Sequence, residues 1–289
     1  MKICALYCVK NEIEFLPLSL ATVLPFVDSV VIVNNRSTDG TVEFVNSLGD
    51  PKVQFFHMDT DFDEKCEFNV RNESLKFVPS DTDWILALDA DQLLSDGWAQ
   101  YARSILTDKT INCAAVNYEH FVGSYEHIDK SFWEKQHKLA EHPQVSLWVW
   151  TFFRNTPQLR SRPAAEVCSW ARPQHHASFE RSCSSGFVKL HNITLFHYGF
   201  SKRNMMEMSA YRIHRGDYGH EPERKAQVTK ELLESGNPFK FVGPVHAVDY
   251  GSARVPSVMR GKWGHYLLEL DEQGFIQSRR IAATGELAQ

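Results

Sequence analysis

Five consecutive apolar residues, Trp84 to Leu88, run without a break into Asp89-Ala-Asp91. A run that is apolar at every position suits a strand covered on both faces of a mostly parallel sheet. Asp89 and Asp91 then emerge at the carboxyl end of that strand, where open α/β sheets bind their ligands. Residues i and i+2 point the same way, so both carboxylates can face one hard divalent cation and leave positions for phosphate oxygens. The competing reading is a plain turn whose aspartates cap the next helix.

The neighbouring sequence favours a parallel sheet. Strand-like runs at Ile3 to Val9, Ser29 to Val33, Val53 to Met58 and Trp84 to Leu88 alternate with helix-like runs, the rhythm of βαβ units. The first helix is expected from Glu14, with Pro17 in its first turn, and stops before Pro25. The second follows the cap-rich Ser37-Thr-Asp-Gly-Thr41, and a third covers Glu64 to Val78. Beyond Leu94, longer strands are expected at Ala114 to Glu119, Ser146 to Arg154 and Phe187 to Gly199. Two helices near Lys202 to His214 and Pro222 to Glu234 precede a Gly/Pro-punctuated tail from Gly236.

At 289 residues and 43% hydrophobic, the chain can bury a large core. Its formal charge of −5 gives no overall attraction to nucleic acid or an anionic membrane. Six cysteines without a Cys-x-x-Cys pair read as reduced thiols, no secretory signal is visible at Met1-Lys-Ile, and no apolar run is long enough to span a bilayer. A cytoplasmic location is therefore expected.

Four features line up: Val9-Lys-Asn-Glu12 after the first strand, Asn34-Asn-Arg-Ser-Thr-Asp-Gly-Thr41 after the second, Arg71-Asn72 in the third helix, and Asp89-Ala-Asp91. Together they resemble the nucleotide-sugar-binding half of the family 2 glycosyltransferases over about Lys2 to Gly97. The resemblance implies an α/β fold of the GT-A type: a mostly parallel nucleotide-binding sheet flanked by helices, an acceptor-side half and a C-terminal helical extension. The corresponding boundaries are 1–110, 111–235 and 236–289. It also implies a nucleotide-sugar donor, commonly UDP-linked, held by Asn11, Asp39, Arg71 and Asp89. Mn²⁺ or Mg²⁺ would lie on Asp89 and Asp91, with His197 of Thr194-Leu-Phe-His-Tyr-Gly199 as the third ligand. Asn34 and Asn35 stand where relatives often carry an acidic residue. Asp39 has a second reading, as a capping or Asx-turn residue, and Arg71 as a surface arginine.

Direct, inverting transfer needs a base for the acceptor hydroxyl. Glu166 lies where relatives often place an acidic residue, and Asp217, Glu119 and Glu141 stay open. A glycan or lipid-linked acceptor is the default by resemblance. A protein or modified-nucleobase acceptor would call for a basic groove, for which Arg154, Arg160, Arg162 and Arg172 are candidates. A non-catalytic nucleotide-sugar or glycan-binding module on the same fold is the alternative from another class. A haloacid-dehalogenase phosphatase is disfavoured because three strands precede the aspartates, and a dinucleotide dehydrogenase because no Gly-x-Gly-x-x-Gly follows the first strand.

Overall fold

The structure is a computed structural model and describes residues 1–59, 71–130, 148–157, 186–203, 205, 209–210, 221–235, 247–262, 266–273 and 276–281. The chain divides into two compact units, Met1–Tyr118 with Trp148–Phe196, and Glu119–Leu147 with His197–Gln289.

The first unit is built on β1 (Ile3–Val9), β2 (Ser29–Asn35), β3 (Val53–Met58) and β4 (Trp84–Leu88). These four are parallel in the order β4-β1-β2-β3. All five residues of β4 are buried, as its unbroken apolar run requires. The chain steps outward from β1 to β3 and then returns to the other side of β1, so the strand order reverses between β1 and β4. That reversal opens the crevice in which sheets of this kind take their ligands. The register pairs Tyr7 with Leu88 and Val9 with Asn34, so the carboxyl ends of β1, β2 and β4 reach one edge.

β5 (Gln92–Leu94) and the helix Trp98–Leu106 follow, then β6 (Cys113–Val122), β7 (His127–Asp129), β8 (Trp148–Arg154) and β9 (Phe187–Phe200). β8 pairs antiparallel with β4 and with β6, and β5 pairs with β9. The expected helix after β1 is present as Leu16–Val23 with Pro17 in its first turn, and Leu16, Leu20 and Val23 are buried. The helix Trp98–Leu106 is not among the sequence expectations. It buries Trp98, Ala99, Ala102 and Leu106 on one face, and the Trp98 indole N–H donates to the Thr22 carbonyl at 2.8 Å.

Cys4 is fully buried, and burial pushes its thiol up to about 11, a setting in which it packs as a small hydrophobe. The expectation that all six cysteines are reduced is corrected at Cys113, which is disulfide-bonded. A bond between cysteines far apart in sequence has no Cys-x-x-Cys signature, so spacing misses it. The cysteine-based argument for a reducing compartment loses its support accordingly.

In the second unit, β10 (Ala247–Asp249) pairs antiparallel with β7, and Phe121 at the end of β6 pairs with Ile128. The ring of Phe121 stacks on Tyr198 at 4.5 Å. The helix Pro222–Ser235 buries Val228 and Leu232. β11 (Tyr266–Leu270) and β12 (Ile276–Ile281) form an antiparallel pair. The C-terminal extension, expected to be helical, is therefore strands and short 3-10 turns among its described residues. Gly251, Pro256 and Gly261 interrupt any helical run there. No helix among the described residues is long and apolar enough to cross a membrane.

Candidate active site

At the edge where β1, β2 and β4 end, side chains fasten two loops to each other. Asn11 adopts φ 57°, a left-handed conformation that asparagine tolerates better than most residues. Its backbone N–H donates to Ser37 Oγ at 2.9 Å, and its own Oδ1 accepts the Thr38 N–H at 2.7 Å. The Glu12 N–H donates to Thr41 Oγ1 at 2.9 Å. Asp39 supplies the remaining staple, with Oδ2 accepting the Ile13 N–H and Oδ1 accepting the Thr41 N–H, both at 3.1 Å. In this arrangement Asp39 has the Asx-turn geometry that the sequence left open, two residues ahead of Thr41. Asn34, near the end of β2, also braces the following loop: its Oδ1 accepts the Ser37 N–H and its amide nitrogen meets His57 Nδ1 at 3.3 Å.

The β4 turn is held more tightly still. The Asp89 N–H donates to Gln92 Oε1 at 3.0 Å, while Gln92 Nε2 donates back to Asp89 Oδ2 at 3.2 Å. Asp89 Oδ1 receives the guanidinium of Arg71, whose side chain is 8% exposed. Ser19 Oγ donates to the Gln92 carbonyl at 2.6 Å, which leaves the buried Tyr7 hydroxyl to donate to Ser19 at 3.0 Å. A polar chain thus runs Tyr7, Ser19, Gln92, Asp89, Arg71. Burial pushes the Tyr7 phenol above its ordinary pKa, partly offset by the bond to Ser19, so it stays a donor at neutral pH. Neither Gln92 nor Ser19 stands out in sequence, because a side chain that braces a turn follows no motif.

Asp91, in the same turn, is 7% exposed. Two carboxylates one residue apart offer only oxygen donors, a set that fits Mg²⁺ or Mn²⁺. No three His, Cys, Asp or Glu side chains converge among the described residues. An ion at Asp89 and Asp91 would therefore need diphosphate oxygens and water to fill its shell.

His197 lies in the second unit, where its Nδ1 meets Nδ1 of His120 at 2.8 Å. The sequence reading missed His120, whose position in β6 carries no motif. Glu119 is beside Tyr250, whose phenol burial and that carboxylate push above its ordinary pKa. Glu166, Glu141 and Asp217 lie outside the described residues, as do Arg160, Arg162 and Arg172. Arg154 is committed to the fold: it donates to the carbonyls of Ile111 at 2.8 Å and Asp108 at 2.9 Å and lies over the Trp84 ring at 4.6 Å.

The sequence profile of Glycosyl transferase family 2 matches residues 4–168, more than half of the chain and all of the stapled loops. The chain belongs to glycosyl transferase family 2. Its mixed α/β sheet, with helices alongside, is the GT-A-like fold expected of that family 2 membership. Similar solved structures include residues 1–349 of TarS from S. aureus, at 15% identity over 84% of this chain and 74% of that one, with TM-score 0.47. The same TarS fragment in complex with UDP-GlcNAc is 13% identical over 83% and 73%, with TM-score 0.47. A 4-diphosphocytidyl-2C-methyl-D-erythritol synthase from Anaerococcus prevotii is 12% identical over 66% and 88%, with TM-score 0.44. No curated protein matches the chain.

Proposed function

We propose that this family 2 member transfers a sugar from a nucleotide-sugar donor, a UDP-sugar, to an acceptor hydroxyl, with inversion and with dependence on Mn²⁺ or Mg²⁺. The observation that carries the reading is the Asp89-Ala-Asp91 turn, braced by Gln92 and Arg71 where the strand order reverses. Asp89 and Asp91 would hold the ion, which when bound neutralises charge on the departing nucleoside diphosphate. The staples from Asn11 and Asp39 keep the two donor-side loops preorganised, so that little ordering is left for ligand binding. In the transfer, the acceptor oxygen forms the new bond to the anomeric carbon as the bond to the diphosphate oxygen breaks. The departing electron pair goes to the diphosphate and the hydroxyl proton to a base. Glu166 is assigned as that base on its sequence position, and the third-ligand role of His197 rests on the sequence resemblance. A glycan or lipid-linked acceptor likewise follows from the resemblance.

The test is a panel of nucleotide sugars incubated with and without Mn²⁺, followed by release of nucleoside diphosphate in the parent and in Asp91→Ala. The parent should turn over one donor only with the ion present, and the variant should lose that turnover while keeping its melting transition. An alanine variant as fast as the parent overturns the reading.

A further inference from the structure

Arg71 reaches Asp89 from 18 residues earlier in the chain. Its side chain is 8% exposed against 22% for Asp89, so the pair sits largely away from water. With Gln92 on the other oxygen, Asp89 is fixed from both sides. Asp91 is in the same turn, 7% exposed. A cation approaching the two carboxylates therefore meets a guanidinium already seated on one of them. Of the three groups, Arg71 cancels one carboxylate, which halves the charge that would attract a divalent ion. Nor can Arg71 simply withdraw, since a guanidinium or carboxylate left buried alone is costly.

A diphosphate changes this balance. Its oxygens suit a guanidinium as well as a carboxylate does. Arg71 can then turn to phosphate, or share it, as the ion takes up Asp89, and every charge keeps a partner. Ion and diphosphate thereby assist each other's binding, and such coupling is necessarily reciprocal.

We infer that Arg71 is a built-in counter-cation of the Asp89-Ala-Asp91 turn, which keeps the turn from capturing a divalent ion until a nucleoside diphosphate arrives. The inference rests on the donor and metal reading proposed above. Its consequence is that a substitution removing the positive charge should strengthen metal binding to the nucleotide-free protein, the opposite of what a residue that merely supports the site would do.

Water-proton relaxation enhancement by Mn²⁺ reports ions held on the slowly tumbling protein, and separates them from ions free or on UDP in solution. The unmodified protein should bind Mn²⁺ at least tenfold more tightly with UDP than without. Arg71→Met should bind Mn²⁺ without nucleotide at least tenfold more tightly than the parent and should lose most of the UDP dependence. Arg71→Lys, which keeps the charge, should bind nucleotide-free Mn²⁺ as weakly as the parent. A folded methionine variant with parental nucleotide-free affinity overturns the inference while leaving the metal reading intact. If the methionine variant does not fold, the unmodified protein still decides: equal Mn²⁺ affinity with and without UDP overturns the inference. Absence of Mn²⁺ binding under every condition overturns the metal reading and the inference with it.

Discussion

The imidazoles of His120 and His197 meet Nδ1 to Nδ1 at 2.8 Å, with their rings 4.8 Å apart and 23° from parallel. At that separation one nitrogen must carry the hydrogen and the other must accept it, so the two rings hold opposite Nδ1 states. His120 is buried, with Phe200 against its edge, and this fixes the orientation of the more exposed His197 ring.

Nitrogen NMR on histidine-labelled protein at neutral pH should accordingly show one protonated and one unprotonated Nδ1 from this pair. His120→Phe should retain the stacking but return the His197 Nδ1 to an ordinary exposed shift. Two identical Nδ1 signals from His120 and His197 in the parent would show that the contact is not made.

Asp39→Ala removes acceptors for the Ile13 and Thr41 N–H groups. Charge-assisted hydrogen bonds of this kind contribute about 1.5–3 kcal/mol. The variant should melt at lower temperature with no nucleotide present, because the loss is of loop anchoring. If its nucleotide-free melting temperature equals that of the parent, and only donor affinity falls, Asp39 is a ligand contact rather than a staple.

Gly186 has φ +72°, and a Cβ placed there would lie 2.2 Å from the Thr110 carbonyl oxygen. The same glycine accepts the Asn112 N–H at 2.5 Å through its carbonyl, so neither backbone can retreat without breaking the contact. Gly186→Ala should destabilise by more than the ~1 kcal/mol typical of point substitutions, read from denaturant midpoints. A change under half that size would mean that the segment shifts at little cost.

Asp28 governs part of the acid response. Partial burial by itself raises its carboxyl pKa, but the Ile3 N–H at 2.8 Å and Arg103 outweigh this, and the net shift is downward from 3.8. A carboxylate lowered on folding contributes its full stability above the unfolded value of 3.8 and loses it as pH falls through the lower folded value. Asp28→Asn should therefore lose stability less steeply than the parent below about that pH. Parallel urea-midpoint curves for the two proteins across the acid range would remove Asp28 from the response.

The sequence alone determined the parallel half of the fold. Ile3–Val9 and Trp84–Leu88 are strands with the bounds read from their apolar runs, because a strand buried on both faces declares itself locally and polar residues end it. The position of Asp89 and Asp91 at a strand's carboxyl end followed for the same reason. Tertiary structure decided what each polar side chain does there. Asp39 fastens Ile13 from 26 residues away, Arg71 pairs with Asp89 across 18, and His120 faces His197 across 77. It also spent Arg154 on carbonyls and on the Trp84 ring, and joined Cys113 in a disulfide. Burial leaves a periodic trace in the order of residues. A hydrogen bond or ion pair between distant residues leaves none, because its partners become neighbours only when the sheet is assembled.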